Sequence, residues 1–364
     1  MKFRSERDAL LDALGTAARG AATRGGALAA LSGVRMEVVD DTLHLAGSDL
    51  DVTVQVEVPV SGLEPGVCVV PARLATDIVR AVEPGAVLLS VEAGEAVISA
   101  GRSQFAVRLL PAEEFLRLPE PAAEAVTLDA AELARALHQV VPAASHDEAR
   151  PILTGVLMAA EGTGLRLVAT DSYRLALRDL PGTSLLAEGQ HVLVPSRAFG
   201  ELTRVLSGAD QVRLRLGSDE ASFEVGSVRV TTRLIEGEFP NYRQLIPPSY
   251  PNRLIVGKEP LLDAVRRVKL LAREATPIRL ALRHDGLELT AVTQDVGQAR
   301  EDVDAKYEGT ELTVAFNPEF LLDGLEATAG DQVVLETLDA LKPATVRATE
   351  STDFLYLLMP VRVS

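Results

Sequence analysis

The segment "ATDSYRLA", from Ala169 to Ala176, places an acid, a hydroxyl, a phenol and a guanidinium at four consecutive positions, Asp171 to Arg174. Such groups serve proton transfer or phosphate capture in enzymes, and they equally form the polar rim of a binding pocket. Apolar residues flank the four on both sides. The segment by itself leaves both interpretations open.

The chain contains no motif for a known catalytic chemistry. A G-x-S-x-G elbow, a P-loop and a dinucleotide glycine fingerprint are all absent from the sequence. The five histidines have no metal-ligand spacing, and His146 with Asp147 is interpreted as part of a charged surface loop. Cys68 lies in the apolar run "GVCVVPA", where a small buried hydrophobe is expected rather than a nucleophile. The sequence therefore predicts no cofactor and no metal, and an enzyme would need a site assembled from distant residues.

Length and composition favour a large protein rich in strands. The 364 residues suit two or three domains, and 47% are hydrophobic while only 4% are aromatic, so Val, Leu, Ala and Ile must build the core. A net charge of -16 argues against a nucleic-acid partner unless the basic residues are segregated on one surface. The charged N-terminal segment and the absence of a membrane-spanning window predict a cytoplasmic protein that does not contact membranes.

Three copies of one pattern divide the chain into thirds. The segments "HLAGSDLDVTVQV" from 44, "RLVATDSYRLALR" from 166 and "ELTAVTQDVGQAR" from 288 follow one another at intervals of 122 residues. A second set, "VVPARLATDIV" from 69, "LVPSRAFGELT" from 193 and "AFNPEFLLDGL" from 315, follows at intervals of 124 and 122 residues. A regular period of this kind indicates a repeated structural unit.

Each third contains the same order of elements. A helical segment with apolar residues at spacings of three and four opens the third, and alternating strands follow. A second helix begins at a Pro or Asn and ends near a Gly, and further strands close the third. The sequence therefore predicts an α+β fold of three repeated domains, each with two helices packed on an antiparallel sheet, at residues 1–120, 126–247 and 253–364.

Basic residues recur at one structural place in two of the thirds. Arg73 and Arg80 lie seven residues apart on the second helix of the first third, and Arg197 and Arg204 have the same spacing in the second. Seven residues are nearly two helical turns, so each pair shares a helix face. A solvated face is the plainer interpretation of one pair, but the recurrence favours a surface that follows phosphates without sequence preference. The last helix, "NPEFLLDGLEATAG", contains no Lys or Arg, so such a surface is uneven.

Four motifs resemble one protein family over the whole length of the chain. They are "MKFRSERDALLDAL" at the start, "ARPILTGVLM" with "LVATDSYRLAL" in the middle, "IEGEFPNYRQLIP", and "YLLMPVRV" near the end. In order and spacing they are similar to the bacterial DNA polymerase sliding clamp, the β subunit of the replicative polymerase III holoenzyme. The resemblance implies a non-catalytic processivity factor, in which a head-to-tail homodimer of six similar domains forms a ring with helices lining the hole and sheets outside.

The resemblance also implies the partners and the residues that contact them. The expected partners are duplex DNA, a clamp loader, and replicative and repair polymerases that bind through short peptides. The residues expected to face DNA are Arg24, Arg73, Arg80, Arg135, Arg197, Arg204, Arg266 and Arg267. The residues expected at the dimer interface are Arg102, Phe105, Leu270 and Leu271.

The same resemblance assigns the segment "ATDSYRLA" to the pocket that accepts a partner peptide. Asp171 is then a structural residue that holds the turn, while Arg174 and Arg362 are expected at the rim as polar contacts. Apolar side chains form the concavity and a few polar groups orient the peptide. The matched residues are Leu153, Thr170, Ser172, Tyr173, Arg174, Leu175, Pro240, Gln244, Leu245, Asn317, Phe320, Pro343, Thr345, Val346, Leu357, Leu358, Met359, Pro360, Val361 and Arg362.

Two departures from the family pattern keep alternatives open. The run "GGALAALSG" from 25 stands where many relatives have P-x-L-x-G, and Tyr173 stands where His or Phe is common. One alternative is a second-copy clamp that gives tolerance to a clamp-targeting inhibitor, and another is a scaffold that does not contact DNA. Retention on circular but not linear DNA would separate a clamp from a scaffold, because only a closed ring is topologically trapped.

Overall fold

The computed structural model describes residues 1–22, 28–117, 119, 122–272 and 276–362. These residues contain six α-helices, two in each third of the chain, as the repeats predict. The helices are α1 (Arg7–Ala18), α2 (Ala72–Ala81), α3 (Ala130–Val140), α4 (Ser196–Leu206), α5 (Lys258–Lys269) and α6 (Pro318–Ala327). None of the helices found in these ranges is long and apolar enough to cross a membrane.

The strands alternate with the helices in every third. The first third contains β1 (Lys2–Glu6), β2 (Gly33–Val39), β3 (Thr42–Ser48), β4 (Val52–Pro59), β5 (Ser61–Glu64), β6 (Gly66–Pro71), β7 (Ala86–Glu92), β8 (Glu95–Ala100) and β9 (Ser103–Arg108). The central third contains β10 (Val126–Asp129), β11 (Gly155–Glu161), β12 (Gly164–Thr170), β13 (Arg174–Leu180), β14 (His191–Pro195), β15 (Gln211–Leu216), β16 (Glu220–Val225) and β17 (Val228–Arg233). The last third contains β18 (Asn252–Gly257), β19 (Ile278–Arg283), β20 (Gly286–Thr293), β21 (Gly297–Val303), β22 (Ala305–Glu308), β23 (Leu312–Phe316), β24 (Gln332–Thr337), β25 (Ala344–Ala348) and β26 (Phe354–Leu358).

Two compact units are formed, and the first comprises Met1–Ala134 and Arg197–Leu234. It contains a five-stranded sheet in the order β5-β1-β7-β8-β9 and an eight-stranded sheet in the order β10-β15-β16-β17-β4-β3-β2-β6. The strand pairs are antiparallel, and β17 joins β4 with Val230 opposite Val54. Leu10 and Leu14 of α1 and Val79 of α2 are buried in the core between the helices and the sheets.

The second unit comprises Arg135–Ser196 and Ile235–Ser364. Its nine-stranded sheet has the order β14-β11-β12-β13-β26-β25-β24-β18-β22, and its four-stranded sheet has the order β21-β20-β19-β23. The antiparallel pairing of β13 with β26 sets Leu175 opposite Leu357. Both residues belong to one apolar cluster with Val168 and Tyr242. This pairing brings the segment that follows Asp171 beside the C-terminal strand.

Each large sheet combines strands from two thirds of the chain. The eight-stranded sheet contains strands of the first and central thirds, and the nine-stranded sheet contains strands of the central and last thirds. An α+β fold of three repeated domains with antiparallel sheets is therefore correct. The joining of the thirds through shared sheets was not apparent from the repeat, because the repeat describes only local elements.

Cys68 lies on β6 and is buried. Burial raises the pKa of the Cys68 thiol to about 12, so the thiol stays protonated at neutral pH. A protonated, inaccessible thiol is a poor nucleophile, which agrees with the structural role expected from its apolar surroundings.

Candidate functional site

The segment "ATDSYRLA" forms a tight turn between β12 and β13. The Asp171 carboxylate accepts hydrogen bonds from the backbone N–H groups of Tyr173 at 2.9 Å and Arg174 at 3.0 Å. The Thr170 hydroxyl donates to the Arg174 carbonyl at 2.7 Å. Ser172 has a φ of 80°, a left-handed conformation that costs a non-glycine residue free energy and that these bonds hold in place. Asp171 therefore has the structural role that was expected of it.

Arg174 is buried rather than exposed at a rim, so the expected rim position was wrong for this residue. Its relative exposure is 8%, while Arg362 is exposed. The Arg174 Nε donates to the second oxygen of Asp171 at 3.0 Å, and its Nη1 forms an ion pair with Asp323 of α6. The guanidinium also lies 4.3 Å from the centre of the Phe320 ring. Arg174 consequently joins β13 to α6 from beneath the surface.

The charge of Arg174 is stable in this environment. Burial by itself lowers the pKa of an arginine, but contacts with Tyr356 and Asp323 outweigh it, so the pKa of Arg174 is raised. Burial raises the pKa of Tyr356, so the Tyr356 hydroxyl remains protonated and donates to the Phe320 carbonyl at 2.9 Å. The site therefore rests on a buried, hydrogen-bonded polar network.

An apolar groove of about 610 Å³ opens at the surface above this network. Six of the predicted pocket residues line it, namely Tyr173, Asn317, Phe320, Met359, Pro360 and Val361. The Tyr173 and Phe320 rings stack with centres 6.4 Å apart, and Tyr173 is 61% exposed. Exposed aromatic and aliphatic side chains around a concavity are typical of a surface that binds another molecule.

The C-terminal segment closes one side of the groove. The Met359 backbone N–H donates to the Tyr173 carbonyl at 2.9 Å, and the Val361 N–H donates to the Ala315 carbonyl at 2.8 Å. The Asn317 side chain caps α6 by accepting the backbone N–H groups of Glu319 and Phe320. These bonds hold three walls of the groove in defined positions.

Several predicted residues lie behind the groove rather than along it. Leu153, Thr170, Leu175, Thr345, Val346, Leu357 and Leu358 are buried, and Pro343 is half-buried. All of them except Leu153 and Pro343 lie on strands of the nine-stranded sheet, in which β25 pairs with β26 and Thr345 lies opposite Leu357. Pro240, Gln244 and Leu245 are exposed in the segment after β17. The predicted set therefore includes open surface, half-buried edge and supporting core.

Three residues of the groove were missed by sequence reasoning, namely Thr276, Pro277 and Pro318. Pro318 stands next to Asn317 in the third copy of the repeat, so the motif itself could have identified it. Thr276 and Pro277 carry no local signal. They reach the groove because β19 pairs with β23, with Ile278 opposite Phe316.

The recurring arginine pairs have carboxylates between them. On α2, Asp77 accepts from Arg80 at 2.6 Å and lies 3.9 Å from Arg73. On α4, Glu201 stands between Arg197 and Arg204, and it accepts from Arg204 at 2.8 Å. The acidic residue shares the helix face because it is four residues after the first arginine and three before the second. Sequence reasoning noticed the arginines and missed the acids.

Three of the arginines expected to face DNA have further neighbours of opposite charge. Arg197 pairs with Asp49, Arg266 lies 2.9 Å from Glu326, and the Arg267 Nε is 3.0 Å from Glu301. Arg135 is exposed on α3. Arg24 lies outside the described residues.

The residues expected at the dimer interface are mostly accessible. Leu270 is 82% exposed at the end of α5, Leu271 is half-buried, and Arg102 is exposed. Phe105 is exposed on β9, the last strand of its sheet. Such an edge strand has backbone groups that are available to pair with another chain.

In the ranges that the structure describes, no three His, Cys, Asp or Glu side chains are grouped to hold a metal ion. Asp147 pairs with Arg150 at 2.8 Å rather than with His146. Arg150 in turn donates to the Ser172 hydroxyl at 3.2 Å. The charged loop therefore supports the turn of the groove.

Family models match nearly the whole chain. They are described as the N-terminal, central and C-terminal domains of the DNA polymerase III beta subunit, and they match residues 1–119, 127–241 and 243–362. The chain belongs to this family. Its members are non-catalytic processivity factors of DNA replication, so the chain is not an enzyme.

Individual relatives agree with this assignment over their full lengths. The beta sliding clamps of Streptomyces coelicolor and Escherichia coli are 36% and 33% identical, with 100% of each chain covered. A solved DnaN sliding clamp from Bartonella birtlesii, bound to griselimycin, is 32% identical with a TM-score of 0.94 and full coverage of both chains. The fold of this chain is thus the fold of solved sliding clamps.

Proposed function

We propose that the chain acts as a DNA sliding clamp, which closes with a second copy into a head-to-tail ring around duplex DNA. The proposed ring contains six domains, three from each copy at residues 1–120, 126–247 and 253–364. Its partners are a clamp loader that opens it and polymerases that it tethers to DNA. The protein works in the cytoplasm of a bacterial cell.

The apolar groove is the observation that carries the tethering role. Its walls are an exposed tyrosine, Tyr173, the helix-borne Phe320 and the C-terminal Met359, which together suit the apolar anchors of a short peptide. The groove is largely preformed, since backbone hydrogen bonds hold the C-terminal segment against the turn before β13 and against β23. A preformed groove lowers the entropic cost of binding a peptide. We assign the matched residues, with Leu153 and Leu175 behind them, to this peptide site.

The arginine pairs on α2 and α4 carry the DNA-facing role. Arg73, Arg80, Arg197 and Arg204 lie at equivalent places on two helices, and each of them is exposed. Exposed arginines on a helix attract phosphates without reading bases. The carboxylates between them reduce the net positive charge, which suits a protein that must move along DNA rather than stay at one place.

Two exposed apolar residues support ring closure. Phe105 lies on an edge strand and Leu270 at the end of a helix, and large apolar side chains exposed in this way are typical of surfaces that another protein covers. A contact between two different surfaces of the same chain is head-to-tail. Such contacts form a closed ring when the rotation from one copy to the next leads back to the first copy.

Retention on DNA of different topology tests the proposal. The protein is loaded on a nicked circular plasmid with a bacterial clamp loader and ATP, and the sample is passed through a sizing column in moderate salt. We expect the protein to remain with the circle and to leave after the plasmid is linearised. Equal retention on both forms would indicate ordinary binding, and retention on neither form would favour a scaffold that does not contact DNA.

A further inference from the structure

The three carboxylates of α6 have different roles. Glu319 lies 2.7 Å from Lys269, and Glu326 lies 2.9 Å from Arg266, so both carboxylates pair with α5. Asp323 instead forms its ion pair with the buried Arg174 of β13. Asp323 is therefore the acidic residue of this helix that pairs with the buried arginine beneath the groove.

A glycine allows α6 to approach the sheet closely enough for this ion pair. A Cβ atom at Gly324 would lie only 2.6 Å from Cε1 of the Tyr356 ring, so a larger residue would displace the helix or the ring. The Tyr356 hydroxyl donates to the carbonyl of Phe320, one turn earlier on the same helix. The helix is thus attached to β26 by a close ring contact and one hydrogen bond.

The attachment of α6 to β26 fixes the position of Phe320. Its carbonyl is held by Tyr356, its ring lies over the Arg174 guanidinium at 4.3 Å, and the same ring lines the groove. A guanidinium against an aromatic face is an attractive arrangement that also fixes the orientation of the ring. Any movement of Arg174 would therefore change the orientation of the Phe320 ring at the groove wall.

Two carboxylates contact the single guanidinium of Arg174 beneath the groove. Arg174 supplies one positive charge, and Asp171 and Asp323 each supply a carboxylate in contact with it. The Nε of Arg174 is bonded to Asp171 and its Nη1 to Asp323, so these donors are engaged. A carboxylate of a bound peptide near Phe320 would meet repulsion from Asp323, while the Arg174 guanidinium is already paired with two carboxylates.

We propose that Asp323, Gly324 and Tyr356 are positioning residues, which hold Phe320 in place, and that Asp323 also occupies Arg174 so that the groove selects a peptide with an uncharged residue near Phe320 over one with an acidic residue there. None of the three belongs to the set predicted from the sequence. The part that concerns selection rests on the proposed function, because it takes a peptide as the occupant. The part that concerns Phe320 stands without it.

A single tryptophan tests the positioning role. The chain contains no Trp, so Phe320→Trp introduces the only indole, at the groove wall. In that background we expect Asp323→Asn and Tyr356→Phe each to shift the emission to longer wavelength and to raise the acrylamide quenching constant at least twofold. Glu326→Gln is the matched control on the same helix and should leave both unchanged. Unchanged emission and quenching in both test variants, with thermal melting proving that they are folded, would overturn the positioning role.

Two peptides test the selection. Both have the same leucine and phenylalanine anchors, and they differ only by Gln or Glu next to the phenylalanine. By fluorescence polarisation we expect the protein to bind the Gln peptide at least fivefold more tightly, Asp323→Asn to reduce this ratio below twofold, and Glu326→Gln to preserve it. Equal binding of both peptides by the unmodified protein would overturn the selection. Binding of neither peptide would contradict the proposed function, while the tryptophan result would still decide the role of Asp323.

Discussion

The Asp171 carboxylate accepts the backbone N–H of Tyr173 at 2.9 Å, and this bond holds the turn that presents the Tyr173 ring to the groove. Because one oxygen accepts two backbone donors, we expect Asp171→Ala to lower the free energy of unfolding by about 1 to 2 kcal/mol. Asp171→Asn keeps an acceptor and should cost less. Urea denaturation of both variants checks this, and an equal loss in the two would show that the charge matters rather than the turn.

Met359 provides an apolar wall of the groove and is 37% exposed. Apolar anchors in a desolvated centre usually dominate peptide binding, so Met359→Ala should weaken the affinity for a partner peptide by about 1 to 3 kcal/mol. Leu63→Ala is the control, because Leu63 is 55% exposed and lies in the other compact unit. Fluorescence polarisation would detect the difference, and similar affinities in the two variants would argue against the groove as the peptide site.

Deletion of residues 360–364 complements this substitution. It removes Pro360 and Val361 from the groove and the bond from the Val361 N–H to the Ala315 carbonyl. We expect peptide binding to be abolished while the mass in sedimentation stays that of the dimer. Unchanged peptide affinity in the truncated protein would contradict the proposed site.

Leu270 and Phe105 test ring closure. We expect sedimentation of the unmodified protein to give twice the chain mass of 38.8 kDa, and Leu270→Asp or Phe105→Asp to give the mass of one chain. A charge in a desolvated apolar interface is costly, which favours dissociation. Leu341→Asp is the control, since Leu341 is 63% exposed and has no predicted interface role. A stable monomer of the unmodified protein at micromolar concentration would contradict the ring.

Arg197 and Arg204 test the DNA-facing surface. Reversing both to Glu should weaken retention on DNA equally for unrelated sequences and should reduce the slope of log affinity against log salt by about one to two units. The control reverses the charges of Arg283 and Arg300, which both pair with Glu288. It therefore also replaces two arginines beside one glutamate, as the change on α4 does beside Glu201. An identical loss in the control, or a strong preference for one DNA sequence, would count against the assignment.

The buried Cys68 thiol makes the free energy of unfolding depend on pH in alkaline solution. Its pKa is about 12 in the folded protein and about 8.5 in an unfolded chain, so above pH 8.5 only the unfolded state loses the proton. The contribution of the protonated thiol to the free energy of unfolding is fully present below about pH 8.5. Above that pH the contribution falls by up to about 1.4 kcal/mol per pH unit. Urea denaturation from pH 8 to 10.5 should show a shallower decline for Cys68→Ala. Rapid reaction of the native protein with a thiol reagent would contradict the burial.

The sequence alone determined the elements and their repetition. Six α-helices appear in the part of the chain that the structure describes, two in each third, as the period near 122 residues predicts. Apolar spacing and helix-start residues act within a few positions of one another, so the sequence is enough to predict them. The shared face of Arg73 and Arg80 is also local, since seven residues span nearly two turns. The family motifs pointed to the groove through short runs such as "YLLMPVRV".

Tertiary structure decided which side chains meet. Arg174 was expected at a rim, yet it is buried against Asp323, 149 residues away, and near Tyr356, 182 residues away. Thr276 and Pro277 reach the groove only through the pairing of β19 with β23. Such contacts depend on which strands pair and on how closely α6 approaches β26 at Gly324. Local periodicity specifies a face of a helix or strand, but the partner of that face is selected by packing between segments distant in the chain.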